Sequence, residues 1–288
     1  MYLNLRQRTL VLVVVCVTAL SAWLTPLLSA ASATQSYLTV TFLNIGQGDA
    51  ILVETPDGIQ LLIDGGPDAK VLGELAATLP WFDRTLDMVL GTHPDKDHIG
   101  GLVDVLTHYS VQTIITTENT GETMTAANFR KALTQEGAEV VMARAGQVYQ
   151  LGASTTLTIF SPASDPSMLE SNTASIVAQL RYGDIEFMLT GDAPSSIERY
   201  LVATYGDQLQ SEVLKLGHHG SKNSSSNEFL ATVNPRYAVV SAGKNNTYGH
   251  PSPEAVARVT DHNIPIVSTI DEGRITFASD GTTVWEVK

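Results

Sequence analysis

The stretch THPDKDHIGG, residues 92 to 101, constrains the fold of this chain more than any other. It follows the short apolar run LDMVLG and sets His93, Asp95, Lys96, Asp97 and His98 within six positions. A core has no use for two imidazoles and two carboxylates together, and a solvated loop has no need of them. A buried strand that ends in such a loop holds its side chains on a rigid frame. The fold must then bring matching groups to the same place.

The sequence offers those groups, each at the C-terminal end of a predicted strand. Asp64 ends QLLIDGG and Asp192 ends EFMLTGD. His218 and His219 follow EVLKLG, and His250 follows AVVSAG after a polar loop. Five of the seven histidines fall in these loops. The other two, His108 and His262, read as helix-surface residues with no partner spaced near them.

Between these points the chain alternates strand and helix patterns. YLTVTFLNIG alternates apolar and polar residues at the strand period, and ILVETPDGIQLLIDGG reads as a hairpin about Pro56, Asp57 and Gly58. Helices are expected over 69–79, over IGGLVDVLTHY, over TAANFRKALTQEG with Gly137 closing it, and over SSNEFLATV and EAVARVTDHN. SIVAQLRYGDIEFMLTGD predicts a second hairpin, turning near Gly183. The two halves, roughly 37–160 and 161–288, each run from strands to mixed strand and helix. Two packed sheets with helices outside satisfy this α/β order.

Composition narrows the class. With 43% hydrophobic residues, the 288-residue chain can form one large core or two small ones. The formal net charge is -13, from 30 acidic and 17 basic residues. That balance disfavours tight nonspecific DNA binding, which depends on Lys and Arg displacing phosphate counterions. It leaves a nucleic-acid substrate open, because bound divalent metals change the local field. Arg6 and Arg8 precede an apolar run over residues 9–30, and ASA closes it at 31–33. Residues 1–33 therefore read as an export signal or, uncleaved, as a membrane anchor. Either reading places the domain at 37–288 outside the cytoplasm, secreted or tethered to the membrane. The one cysteine, Cys16, lies in that run, so no disulfide holds the domain together.

Imidazole and carboxylate ligands together suit zinc, manganese or iron. Four carboxylates with four or five imidazoles exceed what one tetrahedral ion needs. They suit two divalent ions about 3.5–4 Å apart, sharing a carboxylate and a hydroxide that attacks in line.

THPDKDHIGG resembles the H-x-[HD]-x-D-H signature of the metallo-β-lactamase superfamily in its aspartate-containing form. The resemblance is closer still to the C-terminal soluble domain of the ComEC competence proteins. Seven markers occur in order: FLNIGQGDAILVETPDG, LLIDGG, THPDKDHIGG, NTASIVAQL, FMLTGD, EVLKLGHHGSKNSSS and NNTYGHPSPEAV. Together they make the match specific.

The resemblance implies a four-layer αββα sandwich with a metal site at one edge. By position, His93 and Asp95 would serve one metal. Asp97 and His98 would serve the other, joined by His219 or His218, and Asp192 would bridge. His250 would bind metal or substrate, and Asp64 would orient the loop through hydrogen bonds. Asp95 stands where the commoner motif has histidine, which tilts preference from zinc towards manganese or magnesium. No histidine lies between His108 and His218, so the first site lacks its usual third imidazole and is expected to be the weaker one. Asn172 or Ser175 would face that gap.

Other marked residues have two readings. GQGD, residues 46–49, reads first as a tight turn, although the resemblance lets Asp49 approach the site. Lys215, Ser221 and Lys222 flank HHG, where they would hold a phosphate or simply form the polar loop before a serine-capped helix. Lys244, Asn245, Asn246 and Tyr248 form a loop that would cover the pocket or merely turn the chain.

Two classes of function follow. The first is an exported metal-dependent hydrolase of phosphodiesters. Its substrates would be DNA ends or nucleotides by resemblance, or a phosphocholine-type ester of the cell envelope. Asp97, His218 and His250 would act with the metals, and His218 or His250 would assist the leaving oxygen. The second is a non-catalytic module that binds DNA or a partner in an uptake machine.

Overall fold

The computed structural model describes residues 37–288. The signal or anchor read over residues 1–33 lies outside them. The chain first lays down β1 (Leu38–Phe42), β2 (Ile51–Glu54), β3 (Gln60–Ile63), β4 (Thr85–Leu90), β5 (Ser110–Thr116) and β6 (Glu139–Met142). These belong to one sheet. A second sheet takes β7 (Val148–Leu151), β8 (Thr155–Ser161), β9 (Val177–Tyr182), β10 (Ile185–Leu189), β11 (Val213–Lys215), β12 (Tyr237–Val240) and β13 (Ile266–Ser268). The chain then returns to the first sheet with β14 (Ile275–Ser279) and β15 (Val284–Val287). The orders are β15-β14-β1-β2-β3-β4-β5-β6 and β13-β12-β11-β10-β9-β8-β7.

The boundary between sheets thus falls after Met142, not near residue 160, and the last two strands cross back. The physical reason lies in β7 and β8, a hairpin that pairs with β9 and not with β6.

Side-chain alternation explains the layering. In β3, Leu61 and Ile63 face the second sheet, while Leu62 faces the helices. In β10, Phe187 and Leu189 face the first sheet, and Met188 faces the other way. Strands apolar on both faces cannot sit at a surface, so helices must cover them. Over the first sheet lie α1 (Lys70–Thr78), α2 (Lys96–His108) and α3 (Met124–Glu136), packed through Val71, Leu75, Leu102, Val105 and Phe129. Over the second lie α4 (Ser195–Tyr205), α5 (Asn227–Val233) and α6 (Pro253–Asp261), packed through Leu201, Phe229, Leu230 and Val259. A short α7 (Thr269–Glu272) follows β13. The result is the expected four-layer αββα sandwich.

The helix ends follow local chemistry. Thr123 accepts a hydrogen bond from the Ala126 amide to start α3, and Gly137 closes it at φ 78°. Ser226 and Ser252 cap α5 and α6 in the same way. None of the helices among the described residues is long and apolar enough to cross a membrane.

Candidate metal centre

Parallel strands carry the site. β3 and β4 run parallel in one sheet, as do β10, β11 and β12 in the other. Strands joined by crossovers end on a common edge. Asp64 follows β3, His93 to His98 follow β4, Asp192 follows β10, His218 and His219 follow β11, and Ser241 follows β12.

These ends meet at one carboxylate oxygen. Oδ2 of Asp192 lies 3.3 Å from Nε2 of His98, 3.5 Å from Nε2 of His219, 3.7 Å from Nε2 of His218 and 3.9 Å from Nε2 of His93. Asp97 Oδ2 is 3.3 Å from Nε2 of His219, and Asp95 Oδ2 is 3.7 Å from Nε2 of His93. His219 therefore groups with Asp97 and His98. His218 stands elsewhere, against Asn172, whose Nδ2 is 3.4 Å from its Nδ1. The preceding Ser171 donates to Asp95 Oδ1 at 2.6 Å, so one short segment touches both Asp95 and His218.

The far sides of the rings are fixed by hydrogen bonds. His98 Nδ1 lies 2.7 Å from Asp64 Oδ2, and His219 Nδ1 lies 3.0 Å from the Ser241 carbonyl. Both partners only accept, so each Nδ1 carries a proton, and in the neutral ring that a cation would bind, Nε2 keeps the lone pair. His93 Nδ1 is 2.9 Å from Thr92 Oγ1. That hydroxyl donates to Asp64 Oδ2 at 2.8 Å, so it accepts from His93. One carboxylate, Asp64, thus sets two imidazoles, and it also accepts from the Thr92 amide at 2.8 Å. The turns are strained to do this: Asp64, His218 and His219 adopt φ of 58°, 50° and 55°. Such left-handed residues cost roughly 1–2 kcal/mol each.

Asp49, in the GQGD turn, does approach the site, as the resemblance allows. The GQGD turn packs on the Asp97 loop, with the Asp49 amide donating to the Asp97 carbonyl at 3.1 Å. Gly48 is required there, because a Cβ would sit 2.1 Å from that carbonyl oxygen. Asp49 is buried, with Oδ1 3.4 Å from His219 Nδ1 and Oδ2 3.7 Å from His98 Nδ1. It faces the proton-bearing sides of the rings, behind the Nε2 cluster. Its ion-pair partner is Lys215, 1% exposed, whose ammonium also donates to the Gly191 carbonyl at 2.9 Å and lies 3.7 Å from Asp192 Oδ1. Enclosed by Asp49, Asp192 and Gly191, Lys215 sits at the buried end of β11, neither in the polar loop nor open to a phosphate, which leaves it a supporting position.

The electrostatics follow from burial and these contacts. Burial and the adjoining His98 push the His93 imidazole down to about 3. Burial opposes the charge on His98 and His219 too, yet Asp192 lifts both, with Asp64 beside His98 and Asp49 beside His219. His219 reaches about 9. Burial would raise Asp192, but His219 and His98 hold it well below the usual carboxylate range.

The remaining expected residues are placed as follows. Ser175 Oγ accepts from the Asp192 amide at 3.2 Å and so fixes that loop, while Asn172 reaches His218. His250 lies with its ring 5.3 Å from that of His218, at the mouth of a pocket lined by Gln47, Asp95, Asp97, Asp192, His218, His219 and Tyr248. Ser221 is buried in the turn after His219, with Oγ accepting from the Asn223 amide at 3.3 Å. Lys222 is exposed and does not line that pocket; its carbonyl is held by Arg258. His108 and His262 lie apart from the centre, as expected, at the ends of α2 and α6.

Nε2 of His93, His98 and His219 and Oδ1 of Asp192 are buried without a hydrogen-bond partner. Unpaired buried polar atoms are rare and unfavourable. Several converging on one place, with carboxylates among them, fit divalent cations. Single ligand atoms of His98, His219, Asp192 and Asp49 all lie within 4.8 Å of one another.

Fold and site together define a metal-dependent hydrolase framework, and the chain belongs to the metallo-β-lactamase superfamily, whose pattern matches residues 43–244. Among curated proteins it is similar to competence protein ComA of Neisseria gonorrhoeae, 34% identical over 239 residues, and to ComE operon protein 3 of Bacillus subtilis, 28% identical over 260 residues. Each match covers 83% of this chain and 32% of the relative, so the chain spans about a third of their length. The fold is shared with the metallo-β-lactamase fold protein YhfI of Bacillus subtilis, with a TM-score of 0.55 at 13% identity over 86% of this chain and 99% of that one. It is also shared with CmlA, a diiron β-hydroxylase of Streptomyces venezuelae, with a TM-score of 0.53 at 13% identity over 87% and 54%.

Proposed function

We propose that this chain is an exported phosphodiesterase that uses two divalent cations and acts on nucleic-acid ends or nucleotides in DNA uptake or processing. The observation that carries the reading is the set of four Nε2 atoms within 3.9 Å of Asp192 Oδ2, three of them buried and unpartnered. Zinc or manganese ions there would supply an acidified water and positive charge facing a phosphate. His93, Asp95 and Asp192 would hold one ion, and Asp97, His98, His219 and Asp192 the other. Asp64, Thr92 and Ser241 keep the imidazoles in the tautomer that can bind. His218, with 29% of its side chain exposed, and His250, whose Nδ1 is buried and unpartnered, would hand a proton to the leaving oxygen.

The competence relatives support a nucleic-acid substrate. The charge of -13 and a pocket with neither Lys nor Arg in its lining favour a short end over a long duplex. The same acidic lining suits a phosphocholine-type ester as a second substrate class. Export rests on the composition of residues 1–33.

The test uses the full chain loaded with Mn²⁺ or Zn²⁺, assayed on bis-p-nitrophenyl phosphate and on end-labelled single strands. Turnover that disappears in Asp192→Ala is expected. Strand binding without turnover under either metal would instead make this a non-catalytic module of an uptake machine.

A further inference from the structure

At the rim of the metal pocket one aromatic side chain stands out. Tyr248 lines the pocket and is 68% exposed. Its ring lies 6.0 Å from that of His250 at an interplanar angle of 19°. The His250 ring is 5.3 Å from that of His218, which lies 3.7 Å from Asp192 Oδ2. A continuous run of rings therefore leads from solvent to the metal ligands.

The loop that presents Tyr248 is fixed. Asn246 Nδ2 donates to the carbonyls of Gly243 at 2.8 Å and His250 at 2.6 Å. Asn246 Oδ1 accepts from the amides of Tyr248 at 3.2 Å and His250 at 3.0 Å. Gln47 ties the base of the loop by accepting from the Gly243 amide at 3.1 Å. A ring held this way offers its face at little further cost in conformational entropy.

The pocket has no cation in its lining to grip the phosphates flanking a scissile bond. Affinity beyond that of the one phosphate at the metal centre must then come from the base. Stacking on an aromatic ring is sequence-tolerant and needs no charge. A quaternary ammonium needs rings on several sides, whereas Tyr248 and His250 present two nearly parallel faces.

We propose that Tyr248, backed by His250, is the stacking platform for the nucleobase next to the phosphate bound at the metal centre. The inference rests on the phosphodiesterase reading and names its substrate class, a nucleotide or single-stranded end with an intact base.

The test reads binding, so it does not require turnover. The Mn²⁺-loaded full chain is titrated with thymidine 5′-monophosphate, with 2-deoxyribose 5-phosphate, which lacks the base, and with phosphocholine. Stacking predicts that the nucleotide binds about tenfold tighter than the sugar phosphate. Tyr248→Ala should erase that ratio and leave the sugar phosphate unchanged, while Tyr248→Phe keeps it. Equal affinity for the first two ligands, or equal weakening of both by Tyr248→Ala, overturns the platform. So does tighter binding of phosphocholine that depends on Tyr248. Absence of hydrolysis of bis-p-nitrophenyl phosphate and of end-labelled strands, beside an intact nucleotide preference, would count against the phosphodiesterase reading and leave the platform standing.

Discussion

Nδ1 of His98 lies 2.7 Å from Oδ2 of Asp64, and this contact decides which edge of the imidazole is free to bind a cation. Asp64 also accepts from the Thr92 hydroxyl that steadies His93, so it orients one ligand in each of the two groups. Removing it should release both rings without removing a ligand. Asp64→Ala is expected to weaken metal binding by roughly 10–100-fold. Competition with a chromophoric chelator measures this, and an unchanged affinity would mean that the rings are held by packing alone.

His218 and His219 are neighbours in sequence but not in role. His219 Nε2 is 3.3 Å from Asp97, whereas His218 stands beside Asn172 and is part-exposed. His219→Ala should therefore lose tight binding of one ion outright. His218→Ala should retain both ions and lose turnover, as befits a proton donor that holds neither. Metal content after dialysis, counted by mass spectrometry, separates the two variants; equal losses would show that the histidines share one ion.

Lys215 and Asp49 form a buried ion pair behind the Nε2 cluster. Burial would raise the Asp49 carboxyl, yet Lys215 and His219 hold it down at about 2. Lys215→Met leaves that carboxylate uncompensated and should cost about 3–5 kcal/mol of stability. The double variant Lys215→Met with Asp49→Asn should recover much of the loss. Urea unfolding of the four proteins gives the coupling, and additive losses would deny that the two side chains act as a pair.

The proteins should also differ in how stability follows pH. On the outer face of the second sheet, burial and then the adjacent Glu212 raise the Glu186 carboxyl from its ordinary 4.5 to about 7. The folded state therefore holds this proton more tightly than the unfolded one. Below about pH 4.5 both states are protonated and no penalty exists; as pH rises from there to about 7 stability is lost, and above that the loss is constant. Glu186→Gln removes the penalty. It should stabilise the protein at pH 8 by on the order of 1–2 kcal/mol, allowing for partial solvent screening, and leave it unchanged at pH 4. Melting temperatures at the two pH values check the sign.

The parts of this architecture that were legible in the sequence are those that local rules govern. Strands ending in ligands were visible because apolar runs stop abruptly at Asp64, His93, Asp192 and His218. The end of α3 was visible because Gly137 follows its last turn. Other elements gave weak signals. β6 is mostly exposed and shows no alternation, and β7 is a short edge strand, so neither was read. α4 was missed although Ile197, Leu201 and Tyr205 recur every four residues behind Pro194. The Asp49–Lys215 pair was unreadable for a different reason. Two charges 166 residues apart in sequence become partners only through the packing of two sheets. Ser171 escaped notice likewise, since a serine bonded to Asp95 looks like any loop serine.

The placement of β1 beside β14, and of β14 beside β15, has a consequence for how this domain can be carried. Tyr37 and Trp285 touch edge to face, with ring centroids 5.4 Å apart, so the two ends of the folded body emerge together. A body with adjoining termini is portable. It can be hung from a single tether or spliced into a larger assembly at one point, and neither arrangement pulls a strand out of its sheet.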